Sequence, residues 1–295
     1  MKSDQIRWTR DFLGKKCPCG SGNIADICCW RGDGCWEKTP VGKIDTKETK
    51  FANPSCYLSC MSGCTSKMSK EHFISRNILE KITKNDKLKF ENAGHFFGGK
   101  SSVEIGIDGF ASKVLCDNHN SALSALDAAA GATFQRIEEL TKDLVGVLVK
   151  GCNLNSFHVA SGIDMERWMI KVFCGLAAAG KIRSVSGRIE QLSSLPHELF
   201  EALMGATLLE APLGLYMHNF DGQIRKPGLL FATIMLTDGS DQVGGLRLNL
   251  GVMNFVLVTS QRYNQTFNEP TWYRHQTLVW NIKHKSSRMR FLFTY

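Results

Sequence analysis

Cysteine carries the strongest chemical signal in this chain. Nine of its 11 cysteines precede residue 117, leaving only Cys152 and Cys174 beyond. Thiols clustered at short spacing, behind an N-terminus with no apolar leader, point to metal ligands rather than disulfides. In "CPCGSGNIADICC", Cys17 and Cys19 form one pair, eight residues intervene, and Cys28 and Cys29 close the set. The Gly-Ser-Gly lets the backbone turn tightly enough for four thiolates to meet on a tetrahedral ion, and redox-inert Zn2+ suits that geometry. A second set is scattered along the chain. "CYLSCMSGC" offers Cys56, Cys60 and Cys64, and "LCDNHN" offers Cys116 and His119 at CxxH spacing. Two ligands from each stretch make a closed S3N zinc site, with Cys60 and Cys64 the simplest first pair and Cys56 a spare. Between the two halves stands "MSKEHFISRN", where Glu71 adjoins His72, and Asn120 directly follows the last proposed zinc ligand.

The elements that position these residues divide into three segments: 1–36, 37–150 and 151–295. "EKTPVGKIDTKETK" reads as the linker between the first two. "SVEIGIDGFASKVLC" alternates Val103, Ile105 and Ile107 before a turn signal and a second run, which predicts a hairpin. The following stretch places Leu123, Leu126, Ala130, Phe134 and Ile137 at helical spacing. The third segment opens with a helix carrying Met165, Trp168, Val172 and Leu176 as its apolar stripe, with Asp164 as N-cap and Gly180 past its end. A second helix is expected from near Ser194, with Pro196 in its first turn, and strand-like runs follow to the end. The fold class expected is α+β. His158, His197 and His218 stand isolated and are given no role.

Composition is that of a globular protein, 43% hydrophobic and 22% charged, with a formal net charge of +8. No apolar run is long enough to span a bilayer, so a cytoplasmic protein without membrane association is expected. Lys67 to Lys89 holds seven Lys or Arg against three acids, around the Glu-His pair, and Arg274 to Arg290 holds five bases and no acid. Either run alone reads as a solvated surface.

The N-terminal motif resembles the SEC-C zinc motif at every ligand position and in the Gly-Ser-Gly between. That resemblance covers residues 17–29 only, and it implies a small zinc-folded module able to contact a protein or nucleic-acid partner. The second set, with "EH" after the first cysteines and Asn120 straight after the last ligand, resembles the zinc-stapled HNH, or ββα-metal, endonucleases over roughly residues 56–130. It departs from that family in having CxxxC for CxxC and His119 for a cysteine, which leaves open the choice among Cys56, Cys60 and Cys64. The resemblance implies a ββα-metal core with a structural zinc, and hydrolysis of phosphodiester bonds, in DNA by family likeness. It also implies roles: Glu71 and Asn120 as hard ligands of Mg2+ or Mn2+, and His72 as general base toward a water. On a regular strand Glu71 and His72 face opposite ways, so their joint use requires a strand end or an irregular loop. Asn120, Ser124 and Asp127 share a helical stripe, making Asp127 a further ligand candidate beside the plainer reading of a solvated acid near a helix start. His95, in "AGHFFGGK", is a loop histidine that could touch substrate. The basic run from Lys67 then gains a use in holding phosphates. The competing readings are a zinc-stabilised nucleic-acid-binding module that does not cut, and an adaptor docked through the N-terminal zinc motif.

Overall fold

The computed structural model describes residues 10–83, 87–91, 102–183, 195–218, 229–235, 242–262, 271–282 and 287–295. His95 and Ser194 lie outside them. The fold is mixed α+β. Helix α1 (Ala25–Cys28) and strands β1 (Trp30–Gly32) and β2 (Cys35–Trp36) make up the N-terminal cysteine-rich segment. Next come β3 (Met68–His72), α2 (Arg76–Ile82), β4 (Lys87–Glu91), β5 (Ser102–Gly106), β6 (Ala111–Cys116) and the long α3 (Asp117–Lys150). The rest comprises β7 (Asn155–Ser161), α4 (Gly162–Ala178), α5 (His197–Met204), β8 (Gly214–His218), β9 (Leu229–Met235), β10 (Val243–Leu250), β11 (Met253–Val258), β12 (Thr271–Tyr273), β13 (Thr277–Ile282) and β14 (Ser287–Thr294). Among the described residues no helix is long and apolar enough to cross a membrane.

The expected hairpin of residues 103–116 does not form. Strand β5 pairs back onto β4, and β6 pairs antiparallel with β3, which sets Glu71 opposite Ser112 and His72 opposite Ala111. A short 3-10 turn, Ile107–Phe110, separates the two strands and buries Ile107 and Phe110, so the chain leaves one ladder and enters another at the "DG" signal. The helix after β6 forms as its spacing requires: Leu123, Leu126, Ala130, Phe134 and Ile137 are all buried along one side of α3. It ends at Gly151, whose φ of 72° puts it in the left-handed conformation favoured past a helix C-terminus.

Helix α4 is buried on every side, from Gly162 through Ala177 apart from Ile163. Its N-cap is Ser161, whose hydroxyl accepts from the Asp164 backbone N–H at 3.0 Å; the Asp164 carboxylate expected there instead accepts from Val41 N. Charged residues on so buried a helix need partners. Glu166 accepts from Leu215 N and meets Arg274 at 2.8 Å, while Arg167 donates to the carbonyls of Leu203, Val41 and Gly42. Around α4 lie a five-stranded antiparallel sheet in the order β12-β8-β11-β10-β9 and a three-stranded sheet β13-β14-β7. In the latter, β14 pairs antiparallel with β13 and parallel with β7.

One apolar core runs from Ile44 to Phe293 and joins the second and third segments, with Trp168 and Phe173 of α4 buried alongside Phe73, Leu115 and Phe134. The N-terminal motif has its own small core, in which Trp36 and Phe12 pack on Phe157 of β7 at ring separations of 5.1 and 5.4 Å. It is thereby seated on the body of the protein.

Candidate functional site

Cys17, Cys19, Cys28 and Cys29 converge, with all four sulfurs inside 4.8 Å of one another. The local sequence explains why. Cys17 N donates to Asn23 O and Gly20 N to Cys17 O, closing a turn in which Gly20 and Gly22 have φ near +80°. The positive φ favours glycine at position 20, and a Cβ there would come within 2.8 Å of the Arg136 guanidinium, which reaches over from α3 and would have to move aside. The sulfur separations of 3.6 Å (Cys19 to Cys28) and 3.7 Å (Cys28 to Cys29) match the edge of a tetrahedron with Zn–S bonds of about 2.3 Å, which is about 3.8 Å. Proton sharing tells the same story. A hydrogen bond from Cys29 pulls the Cys19 thiol down to about 4, the same bond drives Cys29 far up, and burial pushes Cys17 up to about 12. Three of these four closely spaced sulfurs belong to buried residues, and a dication would supply the positive charge that thiolates packed together need.

The second cluster is Cys56, Cys64, Cys116 and His119, all buried. His119 Nδ1 lies 3.4, 3.6 and 3.3 Å from the three sulfurs in that order, against about 3.6 Å for a tetrahedral Zn2+ with one nitrogen ligand. This corrects the expected pair: Cys60 is exposed, and Cys56 takes its place. The reason lies in the backbone. Cys60 sits within the 3-10 turn Ser59–Met61, whose residues are not buried, whereas positive φ at Ser62 and Gly63 turns the chain back to bring Cys64 inward. Asn118 Nδ2 fastens that turn by donating to Gly63 O at 2.6 Å. Burial lowers the His119 pKa, keeping the neutral ring that a metal requires. Burial opposes the Cys116 thiolate, but hydrogen bonds from the His119 and Thr65 backbone outweigh it and lower that pKa. Residues present at both clusters therefore fit Zn2+, which would clamp the coil before β3 to the first turn of α3.

Glu71 and His72 lie on the last two positions of β3 and face opposite ways. A bulge in β6 opposite Lys70 leaves β3 itself alternating, so Ser69 and Glu71 face α3 while Lys70 and His72 lie on the other face, where His72 is half-buried and its Nε2 is covered. Asn120, in the first turn of α3, donates to Ser69 Oγ at 2.8 Å. Two turns further along, about 10 Å on the helix axis, Asp127 meets Glu71 through a third residue. That residue is Lys171 of α4. Its Nζ lies 2.8 and 3.0 Å from the two Asp127 oxygens and is paired with Glu71 Oε1. Ser75 Oγ donates to Asp127 at 2.5 Å and accepts from Trp168 Nε1 at 2.8 Å. Burial pushes the Glu71 carboxyl up to about 7, with the Lys171 charge pulling the other way and Asp127 adding to the rise. Burial also works against the Lys171 ammonium, but the two carboxylates outweigh it and raise its pKa. One ammonium offsets one carboxylate, and the deeper of the two acids bears the remainder.

No protein-family model, curated protein or solved structure matches the chain.

On the outer face, His72 Nε2 is 3.4 Å from Asp108 of the 3-10 turn, and Arg76 Nη1 is 3.8 Å from the same carboxylate oxygen. Burial lowers the His72 pKa and Asp108 opposes the fall. The three residues expected around one catalytic cation thus have three different partners: Glu71 meets Lys171, His72 meets Asp108, and Asn120 meets Ser69. The donor set Glu71, Asp127 and Asn120 does not fit Mg2+ or Mn2+ as arranged, because an ammonium already sits between the two carboxylates. Sequence reasoning missed Lys171 and Asp108. Lys171 carried a legible sign: a lone cation inside "WMIKVFCGL", apolar on all sides, needs buried carboxylates. Asp108 carried none, being one of many acids at a turn.

Proposed function

We propose that the chain is an HNH-type endonuclease hydrolysing phosphodiester bonds, with DNA the preferred substrate and an N-terminal module of SEC-C type. One observation supports this reading: β6, paired antiparallel with β3, runs directly into α3, and a Cys3His cluster lies where β6 meets α3, at the Met68 end of β3, with Glu71 and His72 at the other end of that strand. His72 takes a proton from the attacking water through its imidazole, and Asp108 holds the ring's orientation. Arg76 and Lys70, on the same outer side, offset charge building on the phosphate. The basic stretch from Lys67 binds backbone phosphates without reading sequence. Glu71, Asn120 and Asp127, the ligands of Mg2+ or Mn2+ that the resemblance implies, are engaged by Lys171 and Ser69 and take no part in this step.

A second reading is favoured by Lys171: with an ammonium already seated between Glu71 and Asp127, the same module binds nucleic acid and cuts nothing. Incubating the zinc-loaded protein with supercoiled plasmid, single-stranded DNA and RNA, each with Mg2+, Mn2+ or chelator, separates the two. Nicked product supports the nuclease. Gel retardation with no cleavage in any arm rejects it in favour of the binder.

A further inference from the structure

The Glu71, Asp127 and Lys171 cluster has the layout of a two-carboxylate cation seat with its charge supplied from within. The acids come from β3 and α3, and the helix that fills the space between them, α4, is packed on all sides. Lys171 Nζ donates to Oδ1 and Oδ2 of Asp127 and forms an ion pair with Oε1 of Glu71. Only 1% of the lysine side chain and 5% of the Glu71 side chain is exposed, so the ammonium has no open path to solvent. Ser75 and Trp168 complete the shell around Asp127, and the Tyr57 ring is buried nearby, its pKa raised by burial first and by Glu71 next among the charges.

We propose that Lys171 is the resident cation of this seat: the wild-type protein takes up no divalent ion at Glu71 and Asp127, and removing the ammonium turns the two carboxylates into a hard-cation site. A dication added to the intact cluster would meet a like charge within van der Waals reach, on an ammonium that is itself only 1% exposed and so weakly screened by water. Without Lys171, the buried Glu71 carboxylate and the Asp127 carboxylate, whose side chain is 28% exposed, face each other from separate elements with no cation between them, and oxygen ligands of that kind select Mg2+, Mn2+ or a lanthanide over zinc. The inference concerns cation binding and does not depend on whether the chain cuts nucleic acid.

Full-length zinc-loaded wild type and Lys171→Ala are titrated with Tb3+, reading luminescence sensitised through Trp168, and with Mn2+, reading the melting temperature. Lys171→Ala is expected to bind at least about tenfold more tightly than wild type and to gain thermal stability from Mn2+. Adding Glu71→Gln to Lys171→Ala is expected to abolish both effects. Wild-type binding that Glu71→Gln or Asp127→Asn removes would overturn the proposal, and so would a folded Lys171→Ala that binds no better than wild type. If Lys171→Ala does not fold, Lys171→Met, equal in length and uncharged, is measured instead. Failure of that variant to fold in millimolar Mn2+ also counts against the proposal, since an ion in the seat should replace the ammonium.

Discussion

Replacing Glu71 by Gln tests the buried cluster through its proton rather than its shape. The Glu71 carboxyl rises from an ordinary 4.5 to about 7 in the folded chain because burial outweighs the pull of Lys171. The folded state therefore holds a proton that the unfolded state releases between those two values, and stability must fall as pH rises through that window. At about 1.4 kcal/mol per pH unit, the loss is about 3 kcal/mol, complete once pH exceeds the folded value. The group is almost wholly buried, so solvent screening does not reduce this figure. Gln at position 71 fills the same space and carries no proton to release. Urea denaturation of wild type and Glu71→Gln at intervals from pH 5 to pH 8 gives the difference curve directly, and changes common to both, such as protonation of the zinc ligands or of His72, cancel. The wild type should lose about 3 kcal/mol relative to the variant across this range. Curves that stay parallel would show that Glu71 is ionised throughout and that the charge balance drawn around Lys171 is wrong.

The exchange of zinc ligands gives a second prediction: Cys56→Ala should cut bound zinc from two ions per chain to one and lower the melting temperature, while Cys60→Ala should leave both unchanged. Zinc analysis by atomic emission after desalting reads this, and the opposite pattern would restore Cys60 as a ligand. Asp108→Asn removes the charge that opposes the fall of the His72 pKa, so the acidic limb of any cleavage-rate profile should move to lower pH. A limb that stays in place would mean that His72 is not the titrating base.

The convergence of Cys17, Cys19, Cys28 and Cys29 was legible because all four and the turn glycines lie within residues 17–29, where spacing alone limits the geometry. The second cluster was legible only in kind. Cys56, Cys60 and Cys64 recur at equal intervals, and the turn at Ser62–Gly63 that decides between Cys56 and Cys60 leaves no periodic mark. The stripe on α3 was readable since helical spacing is local, whereas the partner of β5 was not: alternation at Val103, Ile105 and Ile107 announces a strand without saying which strand it meets. Glu71 and His72 were recognised as a pair, and their opposite orientations followed from strand geometry. Their partners came from α4 and from a 3-10 turn, distant in sequence, and Lys171 in particular redirects both Glu71 and Asp127. The boundary drawn near residue 150 was a sequence division only, since α4 completes the core that β3, β6 and α3 begin.

The claim on which the functional account rests is that His72 acts chemically on a phosphodiester. Its most direct measurement is the plasmid-nicking rate of zinc-loaded wild type beside His72→Ala, with zinc content and melting temperature recorded for both. The account predicts a fall of about 10²- to 10⁴-fold at unchanged zinc content and fold. Equal nicking rates, or no nicking by wild type under any ion condition, would contradict it.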